Sequence, residues 1–168
     1  MKAIVVYESH WGNTAAVARA IADGIGPDAQ ALSTAEATGE ALAGVDLLVA
    51  GSPLLGFNLP TESMLKGMAA NSAKDPTPPD LSHPSMRAWL EALPAGSGCA
   101  AAFETRIWWS PGSAAKAILK RLEALGYRPV GKGERFIVEG KYGPLRAGQL
   151  EHAHAWGAEL ASTSSGAA

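Results

Sequence analysis

The sequence predicts an α/β fold built on a mostly parallel sheet, and three observations carry that prediction. Short apolar runs with the composition of strands buried on both faces recur along the chain. Helical patterns of roughly 10 to 15 residues separate them, the signature of βαβ units. The 168 residues suit one domain with one sizeable core rather than two. Parallel neighbours require right-handed crossovers, so helices are expected on both faces of the sheet.

Residues 2–8 open the chain with Ile4, Val5, Val6 and Tyr7 in an apolar run that ends at Glu8. Residues 14–25 place Ala15, Val17, Ala18, Ile21, Ala22 and Ile25 at helical spacing, and Gly26-Pro27 stops that helix. A weaker strand signal covers 29–33, and a clear one covers 45–51 (VDLLVAG). Further strands are expected at 98–103 and 135–139, the latter joined to 127–130 through the GKGE turn. Helical patterns fill 84–93, 112–125 and 146–160, the last amphipathic through Leu150, Ala153, Trp156, Ala158 and Leu160. Residues 57–83 read as one long irregular stretch, because Pro60, Pro76, Pro78, Pro79 and Pro84 in and beside it deny helix and central strand to most of it. Loops of that length are functional or mobile. The domain is expected to span 1–161, with 162–168 (STSSGAA) as a frayed tail.

Composition narrows the function classes. Hydrophobic residues make up 47% of the chain and charged ones 18%, too rich in the former and too poor in the latter for disorder. Cys99 is the only cysteine, so no internal disulfide forms and no oxidising compartment is demanded; its place at the start of a buried strand makes it a core residue. The net charge of −2 gives no reason to expect nucleic acid. No apolar run reaches the length of a membrane span, and the first residues read as a strand rather than a signal peptide. These features point to a cytoplasmic protein that engages neither nucleic acid nor membrane. His152 and His154 lie two apart on a predicted helix and face different ways, so no metal is expected there.

The most informative segment follows the first strand: Ser9, His10, Trp11, Gly12, Asn13 and Thr14, with a helix leaving at once. Such a loop directs backbone N–H groups and the positive end of a helix dipole at one spot. Ser9 and Thr14 add hydroxyls, and Gly12 permits close approach. No Lys or Arg lies in the loop, so an anion there is held by dipoles and hydrogen bonds, a mode suited to one terminal phosphate. The patterns GxxxxGK[ST] and GxGxxG are both absent. The plainer alternative is an ordinary turn in which Asn13 or Thr14 caps the helix.

Tyr7, Ser9, Gly12, Thr14 and Ala18 together resemble the phosphate-loop signature of the flavodoxin family, Tyr-x-Ser-x-x-Gly-x-Thr-x-x-x-Ala, and the succession of strands and helices extends the resemblance over nearly the whole chain. The resemblance implies a doubly wound five-stranded parallel sheet of order 2-1-3-4-5 with FMN at the switch point. It also implies that Ser52 and Pro53, the turn after the strand ending at Gly51, take part in binding the cofactor, and that Leu54, Leu55, Gly56 and Phe57 lie beside the flavin. Gly56 would offer its carbonyl to N5–H of the reduced ring, a reorientation that glycine permits cheaply. Phe57 has the alternative of a place in the core. After the strand at 98–103, Glu104, Thr105, Arg106, Trp108 and Trp109 form the third loop expected at the site. One of the two tryptophans, adjacent in a polar loop, is expected to wall the ring, against the alternative of an anchor on the neighbouring helix. This third loop resembles a flavodoxin-like subgroup with an F-D-T-R-type segment.

The implied activity is low-potential electron transfer by a monomer, with a flavin reductase as donor and a redox protein or enzyme as acceptor. The protein's task is to hold the phosphate, sandwich the ring and set its potentials, without acid–base catalysis. The mild net charge and Arg106 depart from strongly acidic flavodoxins. A cation beside the ring would favour the anionic reduced form and predicts a less negative potential. The first alternative is an FMN-dependent NAD(P)H:quinone or small-molecule reductase with the Pro-rich stretch as a lid. The second is a regulatory domain that has lost the flavin.

Overall fold

In a computed structural model, described here over residues 1–166, the opening apolar run becomes β1 (Ala3–Tyr7), with four of its five residues buried. Strand β2 (Gln30–Ser33) lies on one side of it and β3 (Leu47–Pro53) on the other, both parallel, with Val5 opposite Ala31 and Val49. Strand β4 (Cys99–Arg106) follows β3 in register, Val49 opposite Ala101. The fifth position is shared by β5 (Arg128–Pro129) and β6 (Glu134–Ile137), which run parallel to β4 one after the other. Arg128 pairs with Cys99, an offset of 29, and Glu134 with Phe103, an offset of 31; two residues are looped out where the glycines of GKGE permit it. The segment predicted to link two strands by a turn is thus one broken edge strand. The order β2-β1-β3-β4-β5, with β6 beside β4, is the doubly wound topology the sequence implied.

Helices α1 (Asn13–Ile25) and α6 (Gln149–Ser165) cover one face over Val5, Leu47, Val49, Ala101 and Phe103. Their approach is close because Gly24 and Gly157 sit where the helices meet. A Cβ on Gly157 would collide with the Ile21 carbonyl, and one on Gly24 with the His154 carbonyl. The other face carries α4 (Met86–Ala92) and α5 (Ala114–Ala124), with the short α2 (Gly39–Leu42) adding Leu42. Cys99 is a buried free thiol.

Three expectations need correction. The stretch 57–83 contains a ten-residue helix, α3 (Glu62–Asn71), continued by a 3₁₀ turn at Ser72–Lys74. Its prolines do not oppose it, since Pro60 precedes the Thr61 cap and the others follow Lys74. Helix α6 starts at Gln149 rather than Arg146 and continues to Ser165; its buried face is Ala153, Gly157, Leu160 and Ser164, whereas Leu150 and Ala158 are exposed. Of the expected tail, 162–165 is therefore helical, and 167–168 lie outside the described residues. The third correction is that β4 runs through Glu104, Thr105 and Arg106, all buried, which had read as loop. The plainer alternative for the turn after β1, a cap by Asn13 or Thr14, does not form: Gly12 occupies the N-cap at φ 90° with no side-chain cap bond.

Candidate functional site

The carboxyl ends of β1, β3, β4 and β6 open onto one cleft of about 250 Å³. Its floor is the loop between β1 and α1. Helices α2, α3, α4 and α5 are each capped by a hydroxyl side chain, Thr38, Thr61, Ser85 and Ser113 respectively. Helix α1 has no such cap, and its first intrahelical bond runs from Ala16 N–H to Gly12 O. The N–H groups of Asn13, Thr14 and Ala15 therefore have no intrahelical acceptor and stand at the positive end of the dipole. Ser9 Oγ accepts from Gly12 N–H at 3.1 Å, which shapes the loop and leaves the Ser9 hydroxyl proton free to be donated. Thr14 and Thr105 share a hydroxyl–hydroxyl hydrogen bond of 2.8 Å that ties the loop to β4.

The second wall is the β3 end. Pro53, Leu54, Leu55 and Gly56 line the cleft. Leu55 and Asn58 exchange backbone hydrogen bonds (3.0 and 3.3 Å) around a tight turn with Gly56 at φ 56° and Phe57 at φ 75°. Positive φ is ordinary for glycine and strained for phenylalanine. The third wall is Thr105, Arg106, Ile107 and Ser110.

Several predicted residues serve elsewhere, for a reason rooted in strand alternation. Side chains of β3 and β4 point alternately to the two faces. Ser52 and Glu104, paired across the sheet, face α4 and α5 instead of the cleft. Glu104 is 0% exposed and accepts four contacts. Its Oε1 takes Arg106 Nη1 (2.8 Å) and Arg135 Nε (3.7 Å), and its Oε2 takes Ser113 Oγ–H and Ala115 N–H (both 2.8 Å). It thus caps α5 and neutralises Arg106, which is 6% exposed and also donates to Gly112 O (3.0 Å). The expectation of Arg106 as an uncompensated cation beside a flavin is revised accordingly. Ser52 Oγ–H donates to Glu8 Oε2 (3.1 Å). Phe57, Trp108 and Trp109 are 67%, 67% and 65% exposed and stand outside the lining, next in sequence to the lining residues Gly56 and Ile107. Phe57 is not in the core. Gly12 faces a separate hollow with Arg19 and Glu36.

The sequence reading missed a fourth wall, formed by Val138, Gly140 and Lys141 after β6. The signal was available, since in an open α/β sheet ligands bind outside the carboxyl ends of the strands, and a strand was expected at 135–139. Lys141 brings the cation that the first loop lacks. It lies over the Trp11 ring (5.3 Å) and bonds Asp75 Oδ2 at 2.9 Å, while the Tyr142 hydroxyl donates to Asp75 Oδ1 at 2.6 Å. The Tyr142 hydrogen bond, then that of Lys141, hold the Asp75 carboxyl below its ordinary range; Asp75 in turn raises Lys141. Among the described residues, no group of three His, Cys, Asp or Glu side chains is placed to hold a metal ion. Nor, among the described residues, is any helix long and apolar enough to cross a membrane.

No family model and no curated protein matches the chain. Solved structures do. An archaeal flavodoxin superposes with a TM-score of 0.68 at 23% identity, covering 98% of this chain and 99% of that one. Flavodoxin 2 of Bacillus cereus gives 0.66 at 16% identity over 97% and 99%. The flavodiiron protein of Giardia intestinalis gives 0.63 at 19% identity, with 99% of this chain matching 37% of that one. The chain is similar over its whole length to complete flavodoxins and to about a third of a larger flavodiiron protein. What the strand order and these superpositions establish together is that the protein has the flavodoxin-like fold.

Proposed function

We propose that the protein binds one FMN non-covalently in this cleft and serves as a single-electron carrier. The observation that carries the reading is the open N-terminus of α1 on the cleft floor, where no side chain caps the helix; α6, the other helix without a side-chain cap, has its N-cap at Gly148, outside the lining. The residues present fit the cofactor. Asn13 and Thr14 N–H and the Ser9 hydroxyl would hold the phosphate, a dipole-based grip that needs no side-chain charge. Leu54, Leu55 and Ile107 supply apolar wall for a planar ring, and Pro53 and Val138 extend it. When bound, FMN supplies the one-electron redox chemistry; the chain contributes binding, exclusion of water and electrostatics.

Glu104 compensates Arg106, and Asp75 compensates Lys141, so the two cations lining the cleft add little net positive charge to it. That arrangement supports a low potential and withdraws the argument for a milder one. The exposed Phe57, Trp108 and Trp109 beside the cleft suit the approach of partners, a flavin reductase as donor and a redox protein as acceptor, to a monomeric carrier. Titrating FMN into apo-protein should quench flavin fluorescence to a 1:1 end point. No quenching at any FMN concentration would end the cofactor reading. Sustained NAD(P)H:quinone turnover by the pure protein without a reductase would replace the carrier with an enzyme.

A further inference from the structure

Residues 75–84, the Pro-rich segment of which the proposed function uses only Asp75, lie across the outer side of the 9–14 loop and are fastened to it. Asp80 N–H donates to His10 O (2.8 Å), and Trp11 Nε1–H donates to Thr77 O (2.7 Å). His10 Nδ1 is 3.1 Å from Asp80 O, and His83 Nε2 is 2.8 Å from Ser9 O. The two imidazoles stack across this seam, 5.7 Å apart and 24° from parallel.

The seam can be counted for protons. A carbonyl oxygen only accepts, so a ring nitrogen facing one must carry hydrogen for the contact to be a hydrogen bond. His83 faces carbonyls with both nitrogens, Ser9 O through Nε2 and Pro84 O through Nδ1 at 3.2 Å. Only the imidazolium satisfies both. His10 Nδ1 carries hydrogen for Asp80 O, which leaves Nε2 facing Glu8 Oε1 at 3.3 Å. Both of these atoms are buried and neither has another partner. Two lone pairs facing each other away from water repel; one proton between them, on either atom, makes the contact attractive. The second carboxylate oxygen of Glu8 is already committed to Ser52 Oγ–H and to Met86 N–H (2.9 Å).

We infer that segment 75–84 is a proton-operated latch on the 9–14 loop, whose docked form carries one proton on His83 and one shared by His10 and Glu8. The sign follows directly. Docking binds protons, so it is favoured at low pH and weakens as pH rises. Other charged groups face the seam from each side. Asp80, whose carboxyl is held below its ordinary range chiefly by Ser82, stays anionic throughout and favours charge on both rings. Glu62 and Lys66 of α3 flank the crevice that reaches His10 and His83. Arg106 and Lys141 border His10 on the cleft side, each already paired with a carboxylate, and Arg19 and Glu36 border His83 on the β2 side. Because the latched loop is also the one assigned to the phosphate, the consequence for cofactor retention rests on the FMN reading: release should quicken with rising pH.

Amide hydrogen exchange of Asp80, whose N–H closes on His10 O, reads the latch without any flavin. In apo-protein, after correction for intrinsic base catalysis, its exchange should rise at least tenfold between pH 6 and pH 8. His83→Gln keeps a donor for Ser9 O and removes one titrating proton. Glu8→Gln places an amide donor against His10 Nε2 while its oxygen still accepts from Met86. Each should flatten the pH slope by about one proton, and the double variant should abolish it. A corrected rate unchanged over this interval, or an unaltered slope in both variants, overturns the latch. Should the variants misfold, ring-nitrogen NMR of the wild type decides: both His83 nitrogens protonated at pH 6.5 is expected, and a neutral single tautomer there refutes it. The rate of FMN dissociation, measured over the same pH range, tests retention separately. Absence of FMN binding would sink the cofactor reading and leave the exchange result standing.

Discussion

Replacing Glu104 with alanine tests how the β4 end is held together. The substitution strips Arg106 of its 2.8 Å ion pair, leaving only the Gly112 carbonyl, and removes the acceptor of Ala115 N–H in the first turn of α5. Arg106 and Glu104 are almost wholly buried, so water cannot replace what is lost. Breaking a buried pair from one side costs about 3–5 kcal/mol, because the surviving charge is left uncompensated. For a chain of this length, roughly 2–4 °C of Tm accompanies each kcal/mol, so Tm should fall by about 6–20 °C. Urea unfolding monitored by tryptophan fluorescence and by far-UV circular dichroism would measure the loss. The control is Glu104→Met with Arg106→Met, which removes both charges at similar volume and should recover the share of the loss that comes from the uncompensated Arg106 charge, while Ala115 N–H still lacks its acceptor. A loss under about 1 kcal/mol for Glu104→Ala would refute the reasoning. So would a double variant as unstable as the single one.

Other expectations follow from the same geometry. Gly157→Ala should destabilise by about 1–3 kcal/mol despite alanine's better helix propensity, since its Cβ meets the Ile21 carbonyl and must part α1 from α6; thermal unfolding measures this. Phe57→Gly should stabilise the fold by roughly 1 kcal/mol, read as a higher urea midpoint, by relieving a positive φ at a residue whose exposed ring buries little. Ser9→Ala removes a hydroxyl donor from the floor of the cleft and should weaken FMN about tenfold in fluorescence titration, a loss in the range of a hydrogen bond to a charged group. Glu104→Gln leaves the Arg106 charge uncompensated and should raise the potential of bound FMN by on the order of tens of millivolts in a redox titration, with a fall or no change counting against the compensation argument.

The features legible in the sequence are those whose causes are local. The run Ile4-Val5-Val6 is buried on both faces and has one structural solution, a central parallel strand. The loop 9–14 declared itself because its hydroxyls, its glycine and the helix after it lie within a few residues, and the anion site proposed there depends only on that succession. Helix α3 escaped notice because it buries no residue, so no apolar stripe marks it; its local sign was the Thr61 cap, whose hydroxyl accepts from Met64 N–H.

Tertiary structure decided the rest, wherever a side chain's fate depends on a partner far along the chain. Glu104 and Arg106 look like loop residues in sequence, yet they extend a buried strand because the start of α5 supplies the donors that make burying a carboxylate tolerable. Glu8 is fully buried because Met86 N–H, 78 residues away, meets it. Lys141 joins the cleft, and residues 75–84 settle on the 9–14 loop, through contacts spanning more than 60 residues. The sequence alone determined the sheet, its likeness to the flavodoxins and the turn proposed to bind an anion, since hydrophobic periodicity and helix-terminus electrostatics act over short stretches of chain. Which charges are paired, which aromatics stay exposed and what closes over the loop required the fold, because burial and charge compensation are properties of neighbours in space.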